Sequence, residues 1–276
     1  MSASGLALVL TAAVLHATWN FVVKDSGDRL LSSWAIVSVA GLVNVVVLAV
    51  AGLPESEALI FLPASMALHV GYNTSLAEAY DRVDLSVAYP IARGTAPLLV
   101  TVGGVAWLDD EVAPLGWLGV ALIAVGLFAL AASRFRARGL HWAFLTGLLI
   151  AGYTVVDGAA VRAGDEAVRY LAASFVLQAI GMTVVAQVRR GRPAMSAALH
   201  PAPWRLLFAG LAGFVAYLFV LIAARTNPIG LVAGTRELSA LIGVALGWRL
   251  LHERVTTIQL LGACLSVGGT IAIALS

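Results

Sequence analysis

Long apolar stretches separated by short polar breaks organise this sequence from end to end. A helical membrane crossing takes about 20 mostly apolar residues, and the breaks leave room for ten such spans. In the first half these run at about 5–23, 31–51, 59–80, 85–108 and 114–132, interrupted by KDSGDR, GLPESE, DRVD and DDEVAP. In the second half they run at about 141–161, 167–188, 204–224, 229–251 and 257–275, interrupted by RAGDE, RRGRPAMSAALHPAP, RTNP and HERVT. The first stretch lacks the basic start of a secretory signal and is long enough to span, so it predicts a first helix. Connections this short leave no place for a soluble catalytic module. Any chemistry is expected inside the helices.

The two halves repeat each other. AYPIARGTAPLLVTVGGVAWLDDE, ending at Glu111, lines up with VAGTRELSALIGVALGWRLLHE, ending at Glu253, with Arg93 and Arg236 at nearly the same distance upstream. GLALVLTAAVLHATWN, from Gly5, lays over GLHWAFLTGLLIAGYT, from Gly139. Residues 1–137 and 138–276 are therefore expected to be two five-helix repeats. Five crossings is an odd number, so the second copy is inverted relative to the first. Inverted repeats with a solute site near the bilayer midplane recur in secondary transporters. The expected fold is an all-α integral membrane protein of ten transmembrane helices.

Composition sharpens this picture. The chain is 61% hydrophobic and 12% charged, against roughly 45–50% and 25% in soluble domains. Its net charge is only +2 and its basic residues are spread along the chain, without the basic patch of a nucleic-acid binder. Cys264 is the sole cysteine, which excludes an internal disulfide or a multi-cysteine metal site. No cofactor or metal is indicated; the expected partners are a small solute and the lipid bilayer.

A charge within a span costs on the order of 2.5–3.5 kcal/mol at the helix centre, and so marks an interior cavity or an ion pair. Arg93, Asp157, Arg236, Glu237 and, nearer a span end, Glu78 qualify. Arg93 lies about eight residues into its span, roughly 12 Å at 1.5 Å per residue. That depth suggests one cluster of Arg93 with Asn20, Asn73 and Glu78, and a second, on the opposite side, of Arg236, Glu237 and Asp157. An arginine fork suits a carboxylate or phosphate, which makes Arg93 and Arg236 candidate anion-binding residues. The plainer alternative is two internal ion pairs, Arg93 with Glu78 and Arg236 with Asp157. Trp19 and Tyr89, beside the polar candidates, are candidates to hold the body of a solute; Tyr72, Tyr153 and Tyr217 fit either a cavity wall or the aromatic belt. His16, His69, Asp157 and Glu237 are candidate proton carriers, with packing the commoner role of a buried histidine. Pro90 and Pro97 predict a kinked fourth span. Gly230 with Gly234, and Gly243 with Gly247, give GxxxG spacings that suit helix packing or a homodimer.

The order and repetition of HATWNFVVK, SVAYPIARGTAPLL before Asp-Asp-Glu111, the segment ending at His-Glu253 and the Gly-rich fifth and tenth spans resemble the EamA-type branch of the drug/metabolite transporter superfamily. The likeness covers all ten spans. It implies ten helices, a central cavity open to one side at a time, and transport, often export, of amino acids or other small metabolites, in the cell membrane. A weaker likeness of His-Ala-Thr-Trp-Asn is to a subgroup associated with phosphonate use. Arg and Lys concentrate in the loops opposite the N-terminus, which by the positive-inside rule puts both termini outside; the family resemblance implies termini in the cytoplasm. The competing classes are an intramembrane enzyme, for which the sequence has no HExxH or GxSxG motif, and a channel or scaffold.

Overall fold

The computed structural model describes residues 1–22, 28–83, 85–131, 139–164, 166–199, 203–239, 241–242 and 256–276, with the side chains of 19–22, 85, 86, 131 and 259 outside the description. Every described regular element is a helix: α1 Ala3–Val22, α2 Arg29–Ala51, α3 Ser56–Leu59, α4 Leu62–Arg82, α5 Leu85–Trp107, α6 Pro114–Ala131, α7 Leu140–Ala163, α8 Ala167–Leu199, α9 Pro203–Ala224, α10 Ile229–Arg236 and α11 Thr257–Leu275. Among the described residues, α2, α7, α8 and α9 are long and apolar enough to cross a membrane, and shorter apolar stretches lie in α1, α6 and α11.

The outward faces of the helices are apolar and their charged groups lie inside an otherwise apolar core, as a bilayer solvent requires. Leu42, Val46, Val50, Leu118, Leu148 and Val184 face outward, whereas Arg93, Asp157, Arg236, Glu237, His69 and Gln178 are buried. Helix α2 packs along α8, α6 along α11, and α1 along α9; α4 and α5 both lie on α7, and α10 sits against α5.

The α6–α11 contact is made by glycine. A Cβ on Gly119 would stand 2.6 Å from the Gly269 carbonyl oxygen, and one on Gly269 would stand 2.5 Å from that of Gly119. Gly126 and Gly262 repeat the relationship two turns away, at 2.5 and 2.6 Å. Only residues without a Cβ allow two backbones to approach so closely.

Helix α5, Leu85–Trp107, covers the expected span of about 85–108 with Pro90 and Pro97 inside it. One break departs from the sequence pattern. The break RRGRPAMSAALHPAP is mostly helical: α8 continues to Leu199 across a kink at Gly191, whose φ of 78° and ψ of 164° suit glycine. Span nine is described as helix only to Arg236, with Glu237 in a turn; Gly243, Gly247 and Glu253 lie outside the described residues.

Described residues between helices make contacts at two places. At one, Met1, Glu111, Pro228 and Ser276 line a shared surface pocket. At the other, Asp28 caps α2 through Leu30 N and Leu31 N and meets Arg190 at 2.6 Å. Burial raises the Asp28 pKa, but the Arg190 bond and the two backbone N–H groups outweigh it and hold the carboxyl below its usual range.

Candidate functional site

Arg93 stands eight residues beyond Leu85 on α5, and Glu237 eight beyond Ile229 at the end of α10. Each is therefore about 12 Å from the start of its helix. The end of α5 meets the start of α10 at Asp110 and Arg162, so the two helices run antiparallel and bring these residues together. Arg93 Nε lies 2.7 Å from Glu237 Oε2, Arg93 Nη2 donates to Ser239 Oγ at 3.1 Å, and the guanidinium sits 5.5 Å from the centre of the Tyr89 ring. Arg236 Nη2 is 3.9 Å from the other oxygen of Glu237. His16 on α1 is within electrostatic reach of both arginines. This single cluster corrects the expectation of separate clusters on opposite sides, and the pairing of Arg93 with Glu78. The two arginines share one carboxylate, so the two groups coincide.

The residue following each arginine breaks the repeat. In the first half it is Gly94, where a Cβ would come within 3.3 Å of both the Ala124 carbonyl oxygen and the Leu127 Cβ. A side chain there would need its neighbours to give by a few tenths of an ångström; the residue following Arg236 is Glu237. The cluster thus holds two guanidiniums and one carboxylate.

Beside it lies a second polar network. Asp157 on α7 is fully buried; its Oδ1 accepts from Tyr170 Oη at 2.7 Å, and its Oδ2 accepts from Tyr217 Oη at 2.7 Å and shares a hydrogen bond of 3.0 Å with His69 Nε2. The His69 ring stacks on Tyr153, with centroids 3.9 Å apart and planes 19° apart, and Tyr72 and Tyr217 meet Tyr153 edge-on. Asp157 is thus satisfied by α4, α8 and α9, which replaces the expected pairing with Arg236: two hydroxyls and an imidazole already surround its oxygens.

At the Met1 end, Arg162 fastens several elements together. Its head contacts Asp110 Oδ1 at 2.8 Å and donates to the carbonyls of Ala224 at 2.9 Å, Leu108 at 3.2 Å and Asn227 at 3.0 Å. Asp110 Oδ2 accepts from Ile229 N at 2.7 Å, an N-terminal position where the helix dipole favours a negative charge. Asn227 Oδ1 accepts from Ser2 N at 2.7 Å.

Of the sequence-predicted residues, Arg93, Tyr89, Arg236 and Glu237 come together, with His16 nearby, and Asp157 and His69 share the adjoining network. Asn73 is buried and returns its amide to the His69 carbonyl at 2.9 Å. Glu78 is peripheral, bonded to Arg82 and, at 2.5 Å, to Arg189. The side chains of Trp19 and Asn20 lie outside the described residues. Sequence reasoning missed Tyr170, Ser239, Asp110 and Arg162; the available signal for Arg162 was its place among the few basic residues on the Met1 side.

Twenty-nine chains of solved structures match this one. One, a crystal structure of a protein, aligns over 100% of this chain and 98% of its own with a TM-score of 0.80 and 15% identity, a likeness of fold. No curated protein matches. The model of the EamA-like transporter family matches residues 137–275, just over half of the chain, and the chain belongs to that family: it is a membrane transporter of the drug/metabolite type.

Proposed function

We propose that the chain is a ten-span secondary carrier that moves a small solute bearing an anionic group, such as an amino acid or organic acid, across the plasma membrane by alternating access. The observation that carries this reading is the buried Arg93–Glu237 pair, which joins α5 to the end of α10. Tyr89 and, on the sequence argument, Trp19 and Asn20 pack the solute's body, and Arg236 supplies a second guanidinium.

Packing supports the division at 137/138 into inverted repeats. Exchanging α1, α2, α4, α5 and α6 for α7, α8, α9, α10 and α11 turns the α1–α9 contact into α7–α4 and the α4–α8 contact into α9–α2, and carries α2–α8, α5–α10 and α6–α11 onto themselves. The C-terminal end of α5 and the N-terminal end of α10 meet at Asp110 and Arg162, so these equivalent helices run antiparallel. Rocking one half against the other exposes the buried pair to each side in turn, with Arg162–Asp110 closing the Met1 end. Asp157 and His69 are the candidate coupling groups for a proton-driven cycle, and export fits the family's frequent direction.

The test is flux into liposomes carrying the purified protein, with amino acids, organic acids and phosphonates, with and without a pH gradient. Saturable flux lost in Arg93→Ala is the expected result. Unchanged flux in that variant removes Arg93 from the site, and non-saturating flux favours a channel.

A further inference from the structure

We infer that Glu237 is an internal stand-in for the solute's anionic group, and that the site therefore selects a small oxyanion of net charge −1 over a zwitterion or a dianion. This rests on the carrier reading above and adds the charge class of the cargo.

Arg93, Arg236 and Glu237 are 5%, 6% and 1% exposed. Two guanidiniums and one carboxylate leave a surplus of one positive charge, and a surplus charge in this setting is expensive unless something neutralises it. Another acid of the described interior, Asp157, is taken up by Tyr170, Tyr217 and His69. His16 on α1 adds no negative charge.

The hydrogen bonding is incomplete in the same place. Arg93 Nε, Arg236 Nε and both carboxylate oxygens of Glu237 have no hydrogen-bond partner among the described residues. The 2.7 Å approach of Arg93 to Glu237 is thus an ion pair without hydrogen-bond alignment. Buried polar atoms normally find partners, and the exceptions call for a ligand or a role.

Glu237 also stands between two claims on it, at 2.7 Å from Arg93 and 3.9 Å from Arg236. An incoming oxyanion that takes the Arg93 fork releases Glu237 to Arg236. Each guanidinium then has one carboxylate or its equivalent, and the local charge sums to zero. A zwitterion leaves the surplus in place, and a dianion reverses it. The exchange also breaks the link between α5 and α10, so solute binding loosens the contact that moves in the transport cycle.

The experiment uses the full chain in liposomes and in detergent, with solutes of one skeleton and three charges: 3-phenylpropanoate, phenylalanine and benzylmalonate, then 4-methylpentanoate, leucine and isobutylmalonate. Flux and ligand-induced thermal shifts are read for each. The monoanion is expected to bind at least about tenfold tighter than its zwitterionic and dianionic partners, as a surplus unpaired charge predicts. Glu237→Gln should move the preference toward the dianion, and Arg236→Gln toward the zwitterion, so the idea survives if one variant fails to fold. Equal or tighter binding of the zwitterion, or an unchanged ranking in the folded variants, overturns the inference while saturable flux keeps the carrier. No flux and no shift with any solute sinks both.

Discussion

Glu237 is shared unequally: its carboxylate lies 2.7 Å from Arg93 and 3.9 Å from Arg236. Removal of each partner should therefore have a different effect on stability. Glu237→Leu leaves two buried guanidiniums without a counter-ion and is expected to lower stability by about 3–5 kcal/mol. Arg93→Leu leaves Glu237 free to close on Arg236 and should destabilise clearly less. Thermal unfolding in detergent ranks the two; equal losses would mean that Arg236 does not take over the carboxylate.

Asp157 depends on hydroxyl donors from two helices. Tyr170→Phe on α8 and Tyr217→Phe on α9 each remove one charge-assisted hydrogen bond to it, with an expected loss of about 1.5–3 kcal/mol apiece. If Asp157 carries the coupled proton, flux in the wild type responds to an imposed pH gradient and flux in Asp157→Asn does not. The same response in both proteins would exclude Asp157 as the carrier.

Helix ends were legible because the bilayer imposes a length. Span ten was expected at 257–275 and α11 occupies Thr257–Leu275; the fifth span was expected to begin at Pro114, as α6 does. The costly residues Arg93, Arg236, Glu237 and Asp157 stood out for the same reason, a charge in an apolar run. Their partners did not. Pairing depends on which face each residue presents and on how neighbouring helices run past one another, and neither is written in one helix's own sequence. Asp157 found Tyr170, a residue with no unusual sequence context, and Arg162 pairs with Asp110 rather than with its chain neighbour Glu111. Charges in short loops do not reveal which neighbour they fasten.

The glycine pairs on α6 and α11 make a packing prediction. A valine at Gly119 or Gly269 places carbon where the partner's carbonyl oxygen already stands, at 2.6 or 2.5 Å from the Cβ alone. The helices must separate, and the variants should fail to yield a monodisperse protein in detergent. Valine at Gly52, whose Cβ would meet nothing within 4 Å but whose φ is 89°, should cost backbone strain only, about 1–3 kcal/mol. Size-exclusion profiles distinguish the two outcomes, and a normal Gly269→Val profile would mean that the α6–α11 interface tolerates a wider spacing.

Arg162 ties the Met1 end together through bonds to Asp110 and to three backbone carbonyls at the ends of α5 and α9 and in the link to α10. On the proposed alternating-access cycle these bonds stabilise one member of the cycle, so weakening them should shift the population toward opening at that end rather than unfold the protein. Cys264 is exposed and is first replaced by alanine to leave a silent background. A cysteine introduced at Thr101, fully buried beside Gly230 on α10, then reports access from the Met1 end. Arg162→Ala should raise its rate of modification by a charged thiol reagent several-fold, and Asp110→Asn should do so more weakly because the carbonyl bonds to Arg162 remain. The reversed pair Arg162→Asp with Asp110→Arg should recover only part of the protection, since an aspartate cannot donate to those carbonyls. An unchanged rate in Arg162→Ala would show that the Met1 end is closed by helix packing and that the arginine is only a surface fastening.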